Sequence, residues 1–213
     1  MPALSRKAIL KRLDDKSLYV GPLLTSKQIG DASIDLRVGN IALIARARGI
    51  SHVDPRAYLE DQGPVHAYER IRRQKLERHD VPFGEPILIH PGQLTLVPTL
   101  EWVEMPDKLM GQVTARSSWA REGLNIATAT LINPGYRGII TLELSNLGQI
   151  PIQVYPGMCV AQISFHTVEY PGFSREQASQ FQLSFEPQPG NIADKKKRDD
   201  AFIPQVKRVK SRR

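Results

Sequence analysis

The stretch Asn133-Pro134-Gly135-Tyr136-Arg137-Gly138-Ile139-Ile140-Thr141-Leu142-Glu143-Leu144-Ser145-Asn146 decides the fold class. It opens on a Pro-Gly turn and runs into a segment where Ile140, Leu142 and Leu144 alternate with Thr141, Glu143 and Ser145. Successive strand side chains point to opposite faces, so this period of two predicts a strand with one apolar and one polar face. The same pattern repeats outward in both directions. Downstream, Asn146-Leu147-Gly148 and Pro156-Gly157 punctuate predicted strands at 152–154 and 159–165. Upstream lie strands at 86–89, 94–97, 102–104 and 109–114, with turns at His90-Pro91-Gly92 and Pro106-Asp107. Many short strands between Pro and Gly turns predict a mainly β barrel or sandwich rather than a βαβ sheet.

Toward the N-terminus the pattern is mixed. Ser5 as N-cap, with Ile9, Leu10 and Leu13 at three- to four-residue spacing, predicts a helix over 5–14. After Gly21-Pro22, Ile34, Leu36 and Val38 alternate with Ser33, Asp35 and Arg37, a strand with one wet face, and residues 41–45 are expected to pair with it. Residues 50–85 are polar, with His52, His66, His79 and a basic run over 70–75. They predict a long excursion between strands, carrying a helix over 67–78. Beyond Tyr170 the alternation gives way to Pro-, Gln- and Ser-rich sequence, read as a lid or a disordered end.

Composition bounds the function. At 213 residues, one domain with extensions is the default, and 41% hydrophobic with 24% charged residues is a globular mixture. No apolar run approaches the roughly 18 residues of a membrane span, and Arg6 and Lys7 stand where a signal peptide would be apolar. A cytoplasmic address is expected. The net charge of +7 invites a nucleic-acid partner, but residues 191–213 hold nine Lys/Arg against three acids, while 1–190 hold twenty against nineteen. Six of the seven charges thus sit in a short tail, which fits an interaction segment or a solubilising end. The single cysteine, Cys159, excludes an internal disulfide and a multi-cysteine metal site, and the five histidines show no metal-ligand spacing.

Two clusters could carry chemistry. Arg116-Ser117-Ser118-Trp119-Ala120-Arg121-Glu122-Gly123 follows a predicted strand, and its Ser-Ser pair is placed to cap a short helix that Gly123 closes. Two hydroxyls and two guanidiniums at a helix start suit a phosphate; the other reading is a capped turn with solvent-facing arginines. Glu143 is the second: a carboxylate between apolar strand neighbours is costly unless hydrogen-bonded or used. Desolvation would raise its pKa toward the range of a proton shuttle; the other reading is an outward, salt-bridged acid.

Arg116-Ser117-Ser118-x-x-Arg121, then Pro134-Gly135-Tyr136-x-Gly138-x-x-Thr141-Leu142-Glu143-Leu144-Ser145-Asn146, then Pro156-Gly157-Met158-x-x-x-Gln162 closely resemble the dCTP deaminase family, within the dUTPase-like superfamily. Ala32-Ser33-Ile34-Asp35-Leu36-Arg37 and His90-Pro91-Gly92 support the resemblance, which runs through about residues 5–190 with a lengthened insertion at 60–82. It implies a distorted β-barrel domain over 1–190 with a short N-terminal helix and a few peripheral helices, followed by the basic tail 191–213. It further implies a homotrimer with active sites between subunits and zinc-free hydrolytic deamination of a deoxycytidine nucleotide. By resemblance, Glu143 shuttles protons, Ser117 and Arg121 orient water and polarise the ring, and Arg116 and Ser118 hold phosphate or position the loop. Backbone groups around Thr128, Ala129, Thr141 and Leu142 would read the pyrimidine edge, Gln162 and Tyr170 would add substrate contacts, and Mg²⁺ would arrive on the triphosphate.

The departures bear on specificity. Asn133 stands where related enzymes carry an Asp before Pro-Gly, and an amide cannot serve as the carboxylate base that assists phosphate hydrolysis. Leu131 stands where some members have an Arg, and Gln180 and Ser184 where a lid Lys and Gln are expected. These point to dUTP as product and to a shifted phosphate or base preference. The rival readings are a nucleotide-binding regulatory protein or a dUTPase-like diphosphatase on the same fold. A nucleic-acid-binding barrel rests on the tail's charge alone.

Overall fold

The computed structural model describes residues 2–46, 75–127, 131–169 and 181–190. Helix α1 (Arg6–Asp14) starts where Ser5, in an extended conformation, accepts the Ala8 N–H. It buries Ile9 fully, while Leu10 stays largely exposed. The described strands are β1 (Tyr19–Gly21), β2 (Ser33–Arg37), β3 (Ile41–Ala45), β4 (Leu76–Asp80), β5 (Ile87–Ile89), β6 (Leu94–Glu104), β7 (Leu109–Ala115), β8 (Leu124–Ile126), β9 (Leu131–Ile132), β10 (Arg137–Asn146), β11 (Ile152–Val154) and β12 (Cys159–Thr167). A short helix α2 (Ser117–Arg121) sits between β7 and β8.

These strands form three sheets around one core. The largest runs β4-β3-β6-β10-β8 with β1 also on β6; a second runs β2-β12-β7-β9; β11 pairs β5. The paired neighbours are antiparallel, and these pairs join strands far apart in sequence. The inward faces supply Ile34, Leu36, Val97, Val113, Leu142, Leu144, Ile163 and Phe165, all buried. The mainly β fold with a short N-terminal helix is as the sequence predicts, and among the described residues it is a distorted assembly of three sheets rather than one closed ladder.

Four expectations are corrected. β3 pairs with β4 and β6, not with β2, whose partner is β12. Residues 76–78, expected to be helical, lie in edge strand β4; pairing with β3 overrides the helix propensity of Leu, Glu and Arg. The rest of 67–78 lies outside the described residues apart from Lys75. The predicted strands 94–97 and 102–104 are one eleven-residue strand, β6, because Pro98 marks a bulge and not a break. Finally, Arg116 rather than a serine occupies the N-cap of α2, and its side chain makes no capping bond.

The β6–β10 ladder carries the irregularity that places the site. Ile139 faces Trp102 and Thr141 faces Pro98, so four steps of β6 oppose two of β10. A shift of two residues preserves the alternation of faces, and Ile140, Leu142 and Leu144 stay buried while Thr141, Glu143 and Ser145 stay half-buried.

Candidate active site

One half of the candidate site is built on β10. Beside β6, its C-terminal end pairs with β8 through Leu144 and Ile126, and the Ala127 N–H donates to the Glu143 carbonyl at 2.8 Å. The opposite end is covered by a strap, residues 181–190. The Leu183 N–H donates to the Arg137 carbonyl (2.7 Å) and the Ile139 N–H to the Ser184 carbonyl (3.1 Å). Gln182 brackets the preceding turn, accepting from the Arg137 N–H (2.9 Å) and donating to the Gly135 carbonyl (3.0 Å). The strap is held further by Phe185 stacked on Trp102, centroids 4.7 Å apart, and by Arg78 with Glu186 at 2.6 Å. Gly138 permits this close approach: a Cβ there would lie 3.0 Å from Tyr136 Oη and 3.3 Å from Ser184 N. Burial pushes the Tyr136 hydroxyl up to about 12, and it stays a donor, to the Ile139 carbonyl.

Thr141 and Glu143 therefore share the half-buried face between strap and β8, with Thr141 Oγ1 accepting the Gln188 N–H at 3.0 Å. The Leu142 side chain is in the core, so only its backbone can meet a ligand. The Ser184 hydroxyl donates to the Glu186 carbonyl, within the strap. Asn133 is exposed in the turn and its carbonyl accepts the Tyr136 N–H. Leu131, in β9, is exposed. Thr128, Ala129, Tyr170 and Gln180 lie outside the described residues.

The other half belongs to the β2-β12-β7 sheet. Arg116 follows β7; its N–H donates to the Val160 carbonyl and its Nη1 meets Asp35 Oδ2 at 2.8 Å. Burial raises the Asp35 pKa, and the Arg116 charge offsets part of that rise. Asp35, Gln162 and Thr114 are cross-strand neighbours, and Gln162 Nε2 donates to Thr114 Oγ1 at 3.3 Å while Ser33 Oγ donates to Gln162 Oε1 at 3.4 Å. Helix α2 is tied to β12 by the Trp119 Nε1–H to the Cys159 carbonyl, which leaves Ser117, Ser118 and Arg121 exposed. Gly123, with φ +90, closes α2 as the sequence predicts; a Cβ there would meet Gly148 N at 2.8 Å. The bonds that fix Thr141 and Ser184 thus lie on one sheet, and those that fix Arg116 and Gln162 on another.

Cys159 is half-buried, and burial with the nearby Asp35 charge pushes its thiol up, away from nucleophilic use. Among the described residues no group of three His, Cys, Asp or Glu could hold a metal ion, and no helix is long and apolar enough to cross a membrane.

A third set of polar residues escaped the sequence reading. Glu101 is fully buried and accepts from the Arg37 N–H (2.8 Å), Arg37 Nε (2.6 Å) and Gln28 Nε2 (3.2 Å). Arg37 Nη2 also donates to the Pro22 carbonyl at 2.6 Å. Thr99, two residues earlier, donates to the Glu101 carbonyl (2.8 Å) and accepts the Ile140 N–H (3.0 Å). A signal was present: Glu101 in Leu100-Glu101-Trp102-Val103 has the same apolar setting that singled out Glu143.

Comparison with known proteins places the chain in a family. The family model for dCTP deaminase-like proteins matches residues 3–168. A dUMP-forming dCTP deaminase of Methanobrevibacter smithii is 35% identical over 172 residues, covering 80% of this chain and 83% of that protein. A dCTP deaminase of Halorubrum lacusprofundi is 38% identical over 194 residues, covering 89% and 90%. The crystal structure of the Agrobacterium tumefaciens 2'-deoxycytidine 5'-triphosphate deaminase superposes with a TM-score of 0.57 at 25% identity, covering 78% of this chain, which spans about half (48%) of that one. With its motifs set on β10, α2 and β12 and a family match spanning most of its length, the chain belongs to the dCTP deaminase-like family.

Proposed function

We propose that the protein hydrolytically deaminates dCTP without zinc, releasing ammonia and dUTP. The observation that carries this reading is the placement of Glu143 beside Thr141 on the half-buried face of β10, between β8 and the strap. Water attacks C4 of the cytosine ring as the Glu143 carboxylate takes one of its protons. The carboxyl hands that proton to N3, takes the remaining hydroxyl proton at C4 and delivers it to the exocyclic amine; the C4–N bond breaks, ammonia leaves, and a C4 carbonyl with N3–H remains. Ser117 and Arg121 orient the water and polarise the ring, and Arg116 and Ser118 hold phosphate or position the loop. The backbone around Thr128, Ala129, Thr141 and Leu142 reads the base. Gln162, Tyr170, Gln180 and, on the strap, Ser184 complete the contacts. Mg²⁺ would be carried by phosphate oxygens and water, the ligands that ion prefers.

Each active site is assembled between subunits of a homotrimer, as the resemblance to the dCTP deaminase family implies. Asn133 supports dUTP as the product, because its exposed amide cannot act as a base on water attacking the phosphate. The second reading, continued hydrolysis to dUMP, is favoured by the dUMP-forming relatives from M. smithii and Dictyoglomus turgidum, the latter 38% identical over 170 residues. Incubation with each dNTP and Mg²⁺, followed by chromatography, separates the readings. dCTP converted to dUTP supports the first, dUMP with diphosphate the second, and binding without turnover would refute both.

A further inference from the structure

We propose that Thr99 is a positioning residue for deamination, setting the segment of β10 that carries Thr141 and Glu143; the inference rests on the role given to Glu143 above. At the β6–β10 bulge the regular register is interrupted, and the Ile140 N–H donates to the Thr99 side chain. Pro98 has no N–H to contribute, and its carbonyl is taken by the Gly39 N–H at 2.7 Å, so β6 here bends away to bridge Val38 through Thr99. The hydroxyl of Thr99, a residue 2% exposed, links the strands here by accepting the Ile140 N–H at 3.0 Å and donating to the Glu101 carbonyl at 2.8 Å.

The far side of that hydroxyl is rigid. Glu101 is locked by Arg37 and Gln28, which tie β6 to β2 and to the 3-10 turn Ser26–Gln28. Thr99 thus passes the placement of a buried ion pair to the backbone of Ile140, three residues before Glu143. Bulges beside active sites re-aim side chains, and a displacement of about 1 Å at the reacting groups can cost around a hundredfold in rate. The Thr99 hydroxyl contacts no substrate in this account; it acts through β10.

The test compares the full-length wild type with Thr99→Val, Thr99→Ala and Thr99→Ser, each assayed for dCTP deamination with Mg²⁺ well below its own melting temperature. Valine keeps the shape and removes both bonds; serine keeps the hydroxyl. Thr99→Val and Thr99→Ala are expected to lower kcat by about ten- to a hundredfold with KM within about threefold, while Thr99→Ser keeps the wild-type kcat. A purely structural role would lower the melting temperature and leave kcat of the folded enzyme unchanged. Folded Thr99→Val with kcat within about twofold of wild type would overturn the proposal. So would failure of both Val and Ala variants to fold while Ser is native, which would make the hydroxyl a folding element only. Glu143→Gln in the same assay separates the two levels: full turnover there refutes the Glu143 reading and this one with it. An inactive Glu143→Gln beside a fully active Thr99→Val refutes only the role of Thr99.

Discussion

Replacing Glu101 by Gln should destabilise the protein far more than a near-isosteric change suggests. The carboxylate is fully buried and accepts three N–H groups, two from Arg37 and one from Gln28. A glutamine offers one acceptor oxygen, and its amide nitrogen would face a donor. Arg37, whose side chain is 7% exposed, would keep its charge with the Pro22 carbonyl as its remaining acceptor. Removing one partner of a buried ion pair costs about 3–5 kcal/mol. For a chain of this size each kcal/mol shifts the melting temperature by about 2–4 °C, so Glu101→Gln should lower it by roughly 6–20 °C. The assay is thermal and urea unfolding at matched protomer concentration, which matters because assembly adds to apparent stability. Glu101→Met, Arg37→Met and the double variant complete a cycle, and the double should cost less than the sum of the singles by at least about 1 kcal/mol. A Glu101→Gln protein within about 1 kcal/mol of wild type, or additive single effects, would refute the view of this pair as a linked unit.

Two further outcomes follow from charge. Burial raises the Asp35 pKa in the folded protein, so folding favours its protonated form; wild-type stability should fall relative to Asp35→Asn as pH rises from about 3 to about 6, and the opposite slope in urea unfolding would contradict the burial argument. Deleting residues 191–213 removes six of the seven net positive charges and should abolish any salt-sensitive retention on DNA; retention that survives deletion would assign nucleic-acid binding to the body.

The sequence makes the alternating faces legible because period two is a local property. Thr141, Glu143 and Ser145 lie on the half-buried face of β10 as their spacing predicts, and Ser33 and Asp35 lie on that of β2. Pairing is less legible. The chain between β2 and β3 looks like a hairpin, yet the polar residues 76–80 return to occupy the β3 edge, and no local pattern encodes that choice. The Pro98 bulge was hidden because a proline in a strand reads as an end, while here its carbonyl and the Thr99 hydroxyl take over the ladder. Glu101 and Arg37 are 64 residues apart, so their pairing is a tertiary fact, although the cost of burying a lone carboxylate flags Glu101 from sequence. Arg116 stands out in the motif as a phosphate ligand, whereas its ion pair with Asp35 emerges only when β2 and β7 both flank β12.

The role proposed for Glu143 in moving the proton of cytosine deamination stands or falls on ammonia release from dCTP by Glu143→Gln. Glutamine keeps the size of the side chain and cannot accept the proton from water. This variant should be folded, keep the assembly state of the wild type and its dCTP binding, and release ammonia at a rate lower by at least about a hundredfold. Ammonia release at the wild-type rate by Glu143→Gln would contradict it.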